Sequence, residues 1–301
     1  MDNKLIVILG PTASGKTHLA VQLAHQLNGE IISADSRQVY RGMDIGTGKD
    51  LDEYTVDNQV VPYHLIDILE AGEQYHIHQF QQDFLKAYHD IIVRGKTPIL
   101  CGGSGMYLEA VLKGYEFTAI PINEGFRETL ISKSYEELLS NANNLVRRDG
   151  FKPDLSTKKR LIRAFEISQF LSQNPDFEIP KPAIPQSIIF GLNPDTEIRR
   201  ERITKRLYQR LENGMLEEVK ALIESGISPE KFIFYGLEYK FITQYLTGEM
   251  TYEIMVERLN VAIHQFAKRQ MTYFRKMERD GLEINWLSSQ NPLEELIEKI
   301  I

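Results

Sequence analysis

The chain joins an apolar run to a short loop bounded by glycines. Residues 5–9 (LIVIL) are apolar, and residues 10–17 (GPTASGKT) fit the pattern G-x-x-x-x-G-K-[ST]. Leu19, Leu23 and Leu27 then recur at helical spacing. The motif requires a strand before it and a helix after it, and both patterns are present. The sequence therefore predicts a strand, a phosphate-binding P-loop and a helix.

The predicted loop implies a chemistry as well as a fold. Glycines let backbone N–H groups turn toward phosphate oxygens, and the start of the following helix adds the positive end of its dipole. Lys16 adds a point charge, and the hydroxyl of Thr17 can hold Mg²⁺. We therefore expect the chain to bind a polyphosphate or pyrophosphate group, with Mg²⁺ as cofactor.

Strand-like and helical patterns alternate over the first part of the chain. Further apolar runs lie at 30–34, 63–66 and 98–101, and helical stretches lie near 76–94 and 105–113. This alternation is typical of βαβ units, which build a parallel sheet covered by helices on both faces. The predicted fold class is therefore α/β, a P-loop core with a parallel sheet flanked by helices.

The pattern becomes helical after about residue 120. The stretch to about 172 is poor in strand signals, and Ser134 with Glu137 has the spacing of a capping box. Four prolines between 175 and 185 then predict an extended connector. We therefore predict a small helical insertion domain at 120–185.

Strand signals return after the connector. A fifth strand is predicted at 187–191, long helices occupy most of 195–279, and a last strand-like run follows at 284–286. The economical interpretation is one α/β core made of residues 1–119 and 186–301.

Composition excludes several classes of protein. The chain has 301 residues, of which 42% are hydrophobic and 26% charged, values close to those of ordinary soluble globular proteins. No apolar run approaches the ~18 residues of a membrane span, so we expect no membrane association and a cytoplasmic location. Cys101 is the single cysteine, which excludes an internal disulfide and a cysteine-built zinc site. The net charge of −7 gives no global reason to expect nucleic-acid binding.

The carboxylates near the strand ends do not fit a motor or a switch GTPase. P-loop NTPases usually carry an acid at the end of another apolar strand, but the fourth strand ends in residues 101–105 (CGGSG). Asp35 and Asp67 are the strand-end carboxylates available, and no Asn-Lys-x-Asp stretch is present.

Several motifs together resemble one family, the tRNA dimethylallyltransferases or tRNA isopentenyltransferases, in the bacterial form. They span nearly the whole chain in the family's order. The matching segments are 10–17 (GPTASGKT), 32–49 (ISADSRQVYRGMDIGTGK), 102–107 (GGSGMY), 160–167 (RLIRAFEI) and 267–275 (AKRQMTYFR).

The resemblance implies a prenyl transfer reaction. The family moves a dimethylallyl group from dimethylallyl diphosphate to the exocyclic amino group of the adenosine 3′-adjacent to the anticodon, with Mg²⁺ assisting. By resemblance, Asp35 is the catalytic carboxylate, and Ser104 and Lys16 assist it. The expected diphosphate-binding residues are Gly10, Thr12, Ala13, Ser14, Gly15, Lys16, Thr17, Arg202 and Arg206.

Three basic segments, 147–163, 199–210 and 268–279, favour a track for a polyanion in a protein of acidic net charge. The resemblance implies that this polyanion is tRNA. The expected tRNA-binding residues are Asp35, Ser36, Arg37, Gln38, Ser104, Arg127, Lys159, Arg160, Leu161, Ile162, Arg163, Lys268 and Arg269.

Two alternatives stay open at this point. A P-loop nucleotide or small-molecule kinase would use Arg202 and Arg206 as a lid over ATP, and a nucleotide-gated RNA-binding module would perform no chemistry. The chain departs from the family's pattern near Gly236 and at Tyr273, where local tRNA contacts are in doubt. We expect a monomer.

Overall fold

The computed structural model describes residues 4–146, 148, 150–288 and 290–300. Its strands, in chain order, are β1 (Leu5–Leu9), β2 (Gly29–Ser33), β3 (Thr55–Val56), β4 (Gln59–Val60), β5 (Tyr63–His64), β6 (Thr97–Gly102), β7 (Ser187–Leu192) and β8 (Asn285–Leu287). Its α-helices are α1 (Lys16–Leu27), α2 (Ile77–Val93), α3 (Gly105–Lys113), α4 (Glu124–Ile131), α5 (Tyr135–Ser140), α6 (Lys158–Gln173), α7 (Thr196–Glu212), α8 (Met215–Glu224), α9 (Pro229–Phe232), α10 (Leu237–Leu246), α11 (Tyr252–Arg279) and α12 (Pro292–Ile300).

Six strands form one sheet in the order β5-β2-β6-β1-β7-β8, and every neighbouring pair is parallel. All five residues of β1 and of β2 are buried. Strands that are covered on both faces read as continuous apolar runs, which explains the sequence LIVIL. Because all six strands run the same way, their carboxyl ends meet at one edge of the sheet.

Helices cover both faces of this sheet. Leu5, Val7 and Leu9 point to one face and pack with residues of α2, α3 and α11. Ile6 and Ile8 point to the other face and pack with residues of α1 and α12. The period of two along β1 thus separates two cores. This architecture confirms the predicted α/β class.

A third core follows the loop after β2. Val39, Tyr40 and Met43 of this loop pack with residues of α7, α8, α10 and α11, and with Phe232 and Tyr235 at the end of α9. These helices therefore pack against the loop that begins at the carboxyl end of β2.

The chain divides into two compact units, Met1–Leu112 with Ile184–Ile301 and Lys113–Ala183. The smaller unit has its own apolar core from α4, α5 and α6. Its first border lies earlier than the predicted 119/120, because the rings of Phe117 and Phe151 lie 5.0 Å apart between centroids and Ile120 is buried among residues of this unit. Ser134 and Glu137 form the capping box that the sequence indicates.

Two local features differ from the sequence patterns. The strand predicted at 63–66 is only Tyr63–His64, since Leu65 and Asp67 take positive φ angles of 62° and 55°. A small antiparallel hairpin, β3 with β4, lies in a polar stretch that carried no strand prediction. No helix in the described ranges is both long enough and apolar enough to cross a membrane.

A close backbone approach explains the glycine at the end of β6. A Cβ atom on Gly102 would lie 2.3 Å from the carbonyl oxygen of Ala34, and neither backbone can yield easily. We expect Gly102→Ala to lower the free energy of unfolding by about 1–3 kcal/mol, measured by urea denaturation. Gly125→Ala in α4 is the matched control, because its nearest neighbour would be 3.8 Å away. Equal stability of the two variants would contradict this close approach.

Candidate active site

A cavity of about 650 Å³ lies at the carboxyl edge of the sheet. The P-loop residues 12–17 line it, together with 35–38 after β2 and 101–107 around the end of β6. Residues of α7, α10 and α11 also line it. A ligand site at this edge is the usual arrangement in open α/β folds. The structure thus brings together three segments that the sequence analysis singled out.

The P-loop holds a half-buried positive charge. Nζ of Lys16 donates to the carbonyl oxygen of Pro11 at 3.5 Å, and Lys16 forms no ion pair among the described residues. Burial lowers the pKa of Lys16, although the nearby Cys101 and Asp35 oppose the shift. An anion bound in the loop would stabilise the charged lysine, since an opposite charge favours the charged form.

Arg206 of α7 reaches the same loop. Its Nη2 donates to Oγ1 of Thr12, and it lines the cavity. Burial and the neighbouring Arg210 lower the pKa of Arg206 to about 10. The predicted diphosphate contact of Arg206 therefore fits the geometry.

Arg202 lies on the same face of α7 as Arg206 but does not line the first cavity. It is exposed and lines a second cavity, whose wall also contains Ser14 and Gly15 of the P-loop and residues of α1 and α12. Its contact with the diphosphate therefore stays a prediction. Arg210, one turn after Arg206, lines the first cavity and pairs with Asp50 at 3.0 Å.

Asp35 and Ser104 lie close together at the ends of β2 and β6. The backbone N–H of Arg37 donates to Oδ1 of Asp35 at 2.9 Å, and the N–H of Ser36 donates to Oγ of Ser104 at 3.1 Å. These bonds fix the carboxylate and the hydroxyl at the cavity wall. Asp67, the other strand-end carboxylate, bonds the buried Lys49 and does not line the cavity.

Gln38 lines the cavity, but its side chain is occupied within the protein. Its Oε1 accepts from the Ser33 hydroxyl, and its Nε2 donates to the carbonyl oxygen of Gly48, both at 3.0 Å. Glu218 of α8 in turn holds the loop that contains Gly48. The Glu218 carboxylate accepts the backbone N–H groups of three consecutive residues, 44 to 46.

Gln270 of α11 is a site residue that the sequence analysis missed. Its Oε1 accepts the backbone N–H of Thr12 at 2.8 Å, and its Nε2 donates to the carbonyl oxygen of Gly103 at 2.9 Å. The side chain is 8% exposed and joins the P-loop to the end of β6. Tyr273, one turn further, donates to Glu109 at 2.6 Å. The only signal for Gln270 was its place inside the segment AKRQMTYFR.

Glu238 of α10 was also missed. It lines the cavity near Arg206 and Arg210, and burial raises the pKa of its carboxyl group. Cys101 behaves as the sequence indicates, because it is buried in β6 and burial raises the pKa of its thiol to about 12.

The predicted tRNA contacts of the smaller unit fall into two groups. Lys159 and Arg160 are exposed at the start of α6, and Arg160 pairs with Asp154 at 2.9 Å. Leu161 and Ile162, in contrast, are 0% and 6% exposed in the core of this unit. These two side chains pack inside the unit because the first turn of an amphipathic helix carries both surface and core residues. The tRNA contacts predicted at 161 and 162 stay predictions.

Two arginines of this unit have internal partners. Arg127 makes a bidentate pair with the buried Glu166, at 2.9 and 2.8 Å. Arg163 donates to the same carboxylate and to the carbonyl oxygen of Ile120. Both side chains thus stabilise the unit itself. On α11, Arg269 lines the cavity, whereas Lys268 is exposed outside it.

The cavity also bears on the expected Mg²⁺. Among the described residues, no group of three or more His, Cys, Asp or Glu could hold a metal ion. Mg²⁺ commonly binds through one or two protein oxygens, substrate phosphates and waters. Thr17, in the cavity wall beside Lys16, fits that mode.

A parallel sheet with a P-loop, half-buried cations and a carboxylate in one cavity defines a P-loop protein with an anion-binding type of site. A family described as IPP transferase matches residues 38–277, and one described as isopentenyl transferase matches residues 3–63. The chain therefore belongs to the IPP transferase family of prenyl-transferring enzymes.

The relatives agree with this assignment over the full length. The chain is 52% identical over 299 residues to tRNA dimethylallyltransferase 2 of Bacteroides fragilis, and the alignment covers 98% of this chain and 96% of that relative. It is 53% identical over 296 residues to tRNA dimethylallyltransferase 1 of Parabacteroides distasonis, with 98% and 95% covered.

Solved structures are similar as well. The tRNA isopentenylpyrophosphate transferase of Bacillus halodurans superposes with a TM-score of 0.71 at 32% identity, covering 99% of this chain and 96% of that one. A eukaryotic dimethylallyltransferase described as acting on tRNA gives a TM-score of 0.76 at 26% identity, covering 99% and 77%.

The half-buried lysine allows a direct test of the anion cradle. We expect Lys16→Met to leave the ligand-free protein equally stable or more stable, because a neutral side chain of similar length replaces a partly desolvated charge that has no ion-pair partner among the described residues. The same variant should lose the rise in melting temperature that pyrophosphate gives the unchanged protein. Lys220→Met, at an exposed lysine of α8, is the control and should keep that rise. An undiminished pyrophosphate effect in Lys16→Met would contradict the cradle.

Proposed function

We propose that this chain transfers a dimethylallyl group from dimethylallyl diphosphate to the exocyclic amino group of the adenosine 3′-adjacent to the anticodon in tRNA. The observation that carries the proposal is the shared cavity of the P-loop and Asp35. The names of the relatives, which are tRNA dimethylallyltransferases over the whole chain, support it.

Different residues of the cavity serve the leaving diphosphate and the attacking amino group. The bond from the prenyl carbon to the diphosphate oxygen breaks, and a bond from that carbon to the adenine nitrogen forms. Lys16 and Arg206 stabilise the negative charge of the leaving diphosphate. Asp35 accepts the proton that the amino group loses, and Ser104 holds the loop that carries Asp35.

Mg²⁺ would supply further positive charge to the leaving diphosphate. In our proposal the Thr17 hydroxyl would hold this ion beside the diphosphate. The backbone N–H groups of residues 12–17 and the start of α1 then bind the remaining oxygens.

Exposed cations of each unit are proposed to bind the tRNA backbone. Lys159 and Arg160 lie at the start of α6 in the smaller unit, and Lys268 and Arg269 lie on α11 in the larger unit. Cations of this kind contact phosphates and give a strong dependence on salt. The monomeric state and the cytoplasmic location stay predictions.

A kinase would bind ATP in the same loop, and the cavity alone does not decide between the two donors. The family match and the relatives favour prenyl transfer. A binding module without chemistry would need no carboxylate beside the P-loop, whereas Asp35 is held there by two backbone contacts of its loop.

Asp35→Asn tests the assigned chemistry. The amide cannot accept a proton, so we expect the rate of transfer of labelled dimethylallyl groups to tRNA to fall at least about 100-fold. The dissociation constant for tRNA should stay within about threefold. Asp52→Asn makes the same charge change at an exposed position outside the cavity and should retain activity. Consumption of ATP, with no label entering tRNA in the unchanged protein, would instead favour the kinase.

Salt dependence tests the proposed tRNA track. We expect the logarithm of tRNA affinity to fall linearly with the logarithm of salt concentration. Lys159→Ala should weaken binding and reduce the slope by about 0.7 to 0.9, the value for one lost phosphate contact. Lys220→Ala should change neither quantity. A slope that is the same in both variants and the unchanged protein would remove Lys159 from the track.

A further inference from the structure

Helix α11 presents one face to the cavity over about three turns. Ile263, Phe266, Arg269, Gln270 and Tyr273 all line the cavity, and each lies one to four residues after the one before it. Gln270 bonds the P-loop and the end of β6. Phe266 therefore lies one turn, about 6 Å along the helix axis, from the anchored part of this face.

Phe266 and Arg269 are the exposed residues among these five. Phe266 is 40% exposed, whereas Ile263 and Gln270 are 7% and 8% exposed. A side chain that lines a cavity and also faces solvent lies at the cavity's mouth. Met106 and Ile233 line the cavity as well and are 55% and 54% exposed. The openings of the cavity therefore carry large apolar side chains.

Positive charge accompanies this apolar surface. Arg37, Lys240 and Arg269 also line the cavity, and Arg269 lies on the same face of α11 as Phe266. Aromatic side chains next to cations are the arrangement that binds unpaired RNA, since bases stack on the rings and phosphates contact the cations. The occupant must also be continuous with a group that reaches Asp35 deeper in the cavity.

We propose that Phe266 is the stacking surface for an unpaired RNA base that neighbours the acceptor adenosine. The acceptor base itself enters the cavity toward Asp35, as bases do in enzymes that modify them. Its neighbour stays at the mouth, where the ring of Phe266 covers it and Arg269 contacts the adjoining phosphate. This inference rests on the proposed function, because it takes unpaired RNA as the substrate.

Steady-state kinetics with Phe266→Ala tests the stacking. We expect the KM for tRNA to rise about 5- to 100-fold, the range given by loss of one base stack. The KM for dimethylallyl diphosphate and kcat should stay within about twofold. Phe234→Ala is the matched control, because Phe234 is 71% exposed and does not line the cavity. Both phenylalanines are exposed, so the two variants are expected to fold alike.

The outcomes separate stacking from other roles. Phe266→Tyr should restore the KM for tRNA, and Phe266→Leu should restore it only partly. A rise in the KM for the donor instead would place Phe266 against the prenyl tail and overturn the proposal. An equal effect of Phe266→Ala and Phe234→Ala would overturn it too. If the unchanged protein transfers no prenyl group to tRNA, the proposed function fails, and direct tRNA binding by Phe266→Ala still tests the stack.

A fluorescence signal gives an independent readout. The chain has a single tryptophan, Trp286, in β8. Phe266→Trp adds one reporter at the mouth, and an anticodon stem-loop should quench its emission by stacking. Pyrophosphate alone should leave the emission unchanged. Phe234→Trp, the control, should show no quenching by the stem-loop, and equal quenching of both reporters would contradict specific stacking on residue 266.

Discussion

A half-buried positive charge with no carboxylate partner among the described residues is the constraint on which the site depends. Lys16 lies in the wall of the cavity and donates to the carbonyl oxygen of Pro11, and burial disfavours its charged form. Arg206 is half-buried beside the same loop and bonds the hydroxyl of Thr12. Two cations that are close together and partly removed from water cost free energy when no anion is bound. A bound diphosphate would offset that cost.

Helix α11 makes this arrangement rigid. Gln270 accepts from the P-loop and donates to the end of β6, so one amide fixes two strand ends relative to each other. The packing leaves no room for larger residues, since a Cβ atom on Gly103 would lie 2.5 Å from Nε2 of Gln270. The glycines after β6 are therefore explained by the helix that crosses them, and they need no direct contact with the substrate.

Local sequence patterns predicted the strands and helices well and the long-range side-chain contacts less well. The P-loop, the strands next to it and the capping box at Ser134 could be read from the sequence, because each depends on residues a few positions apart. Gln270 and Glu218 could not, since their partners are 258 and about 170 residues away in the chain. The place of Arg210 in the cavity wall was missed for the same reason. Helical spacing defines a face of α7, but only the fold decides which turns of that face line the cavity.

The order of the strands sets the distance between the P-loop and Asp35. The P-loop follows β1 and Asp35 follows β2, and β6 lies between these strands in the sheet. Two strand spacings are about 10 Å, so the ends of β1 and β2 lie on either side of the end of β6. Under the proposed function, a prenyl carbon held by the diphosphate and an amino nitrogen held by Asp35 would meet above residues 102–105. Side chains are small there, and Ser104 bonds the loop of Asp35 from this middle strand. A direct neighbour relation between β1 and β2 would leave one spacing, about 5 Å, and no strand between them from which Ser104 could bond that loop.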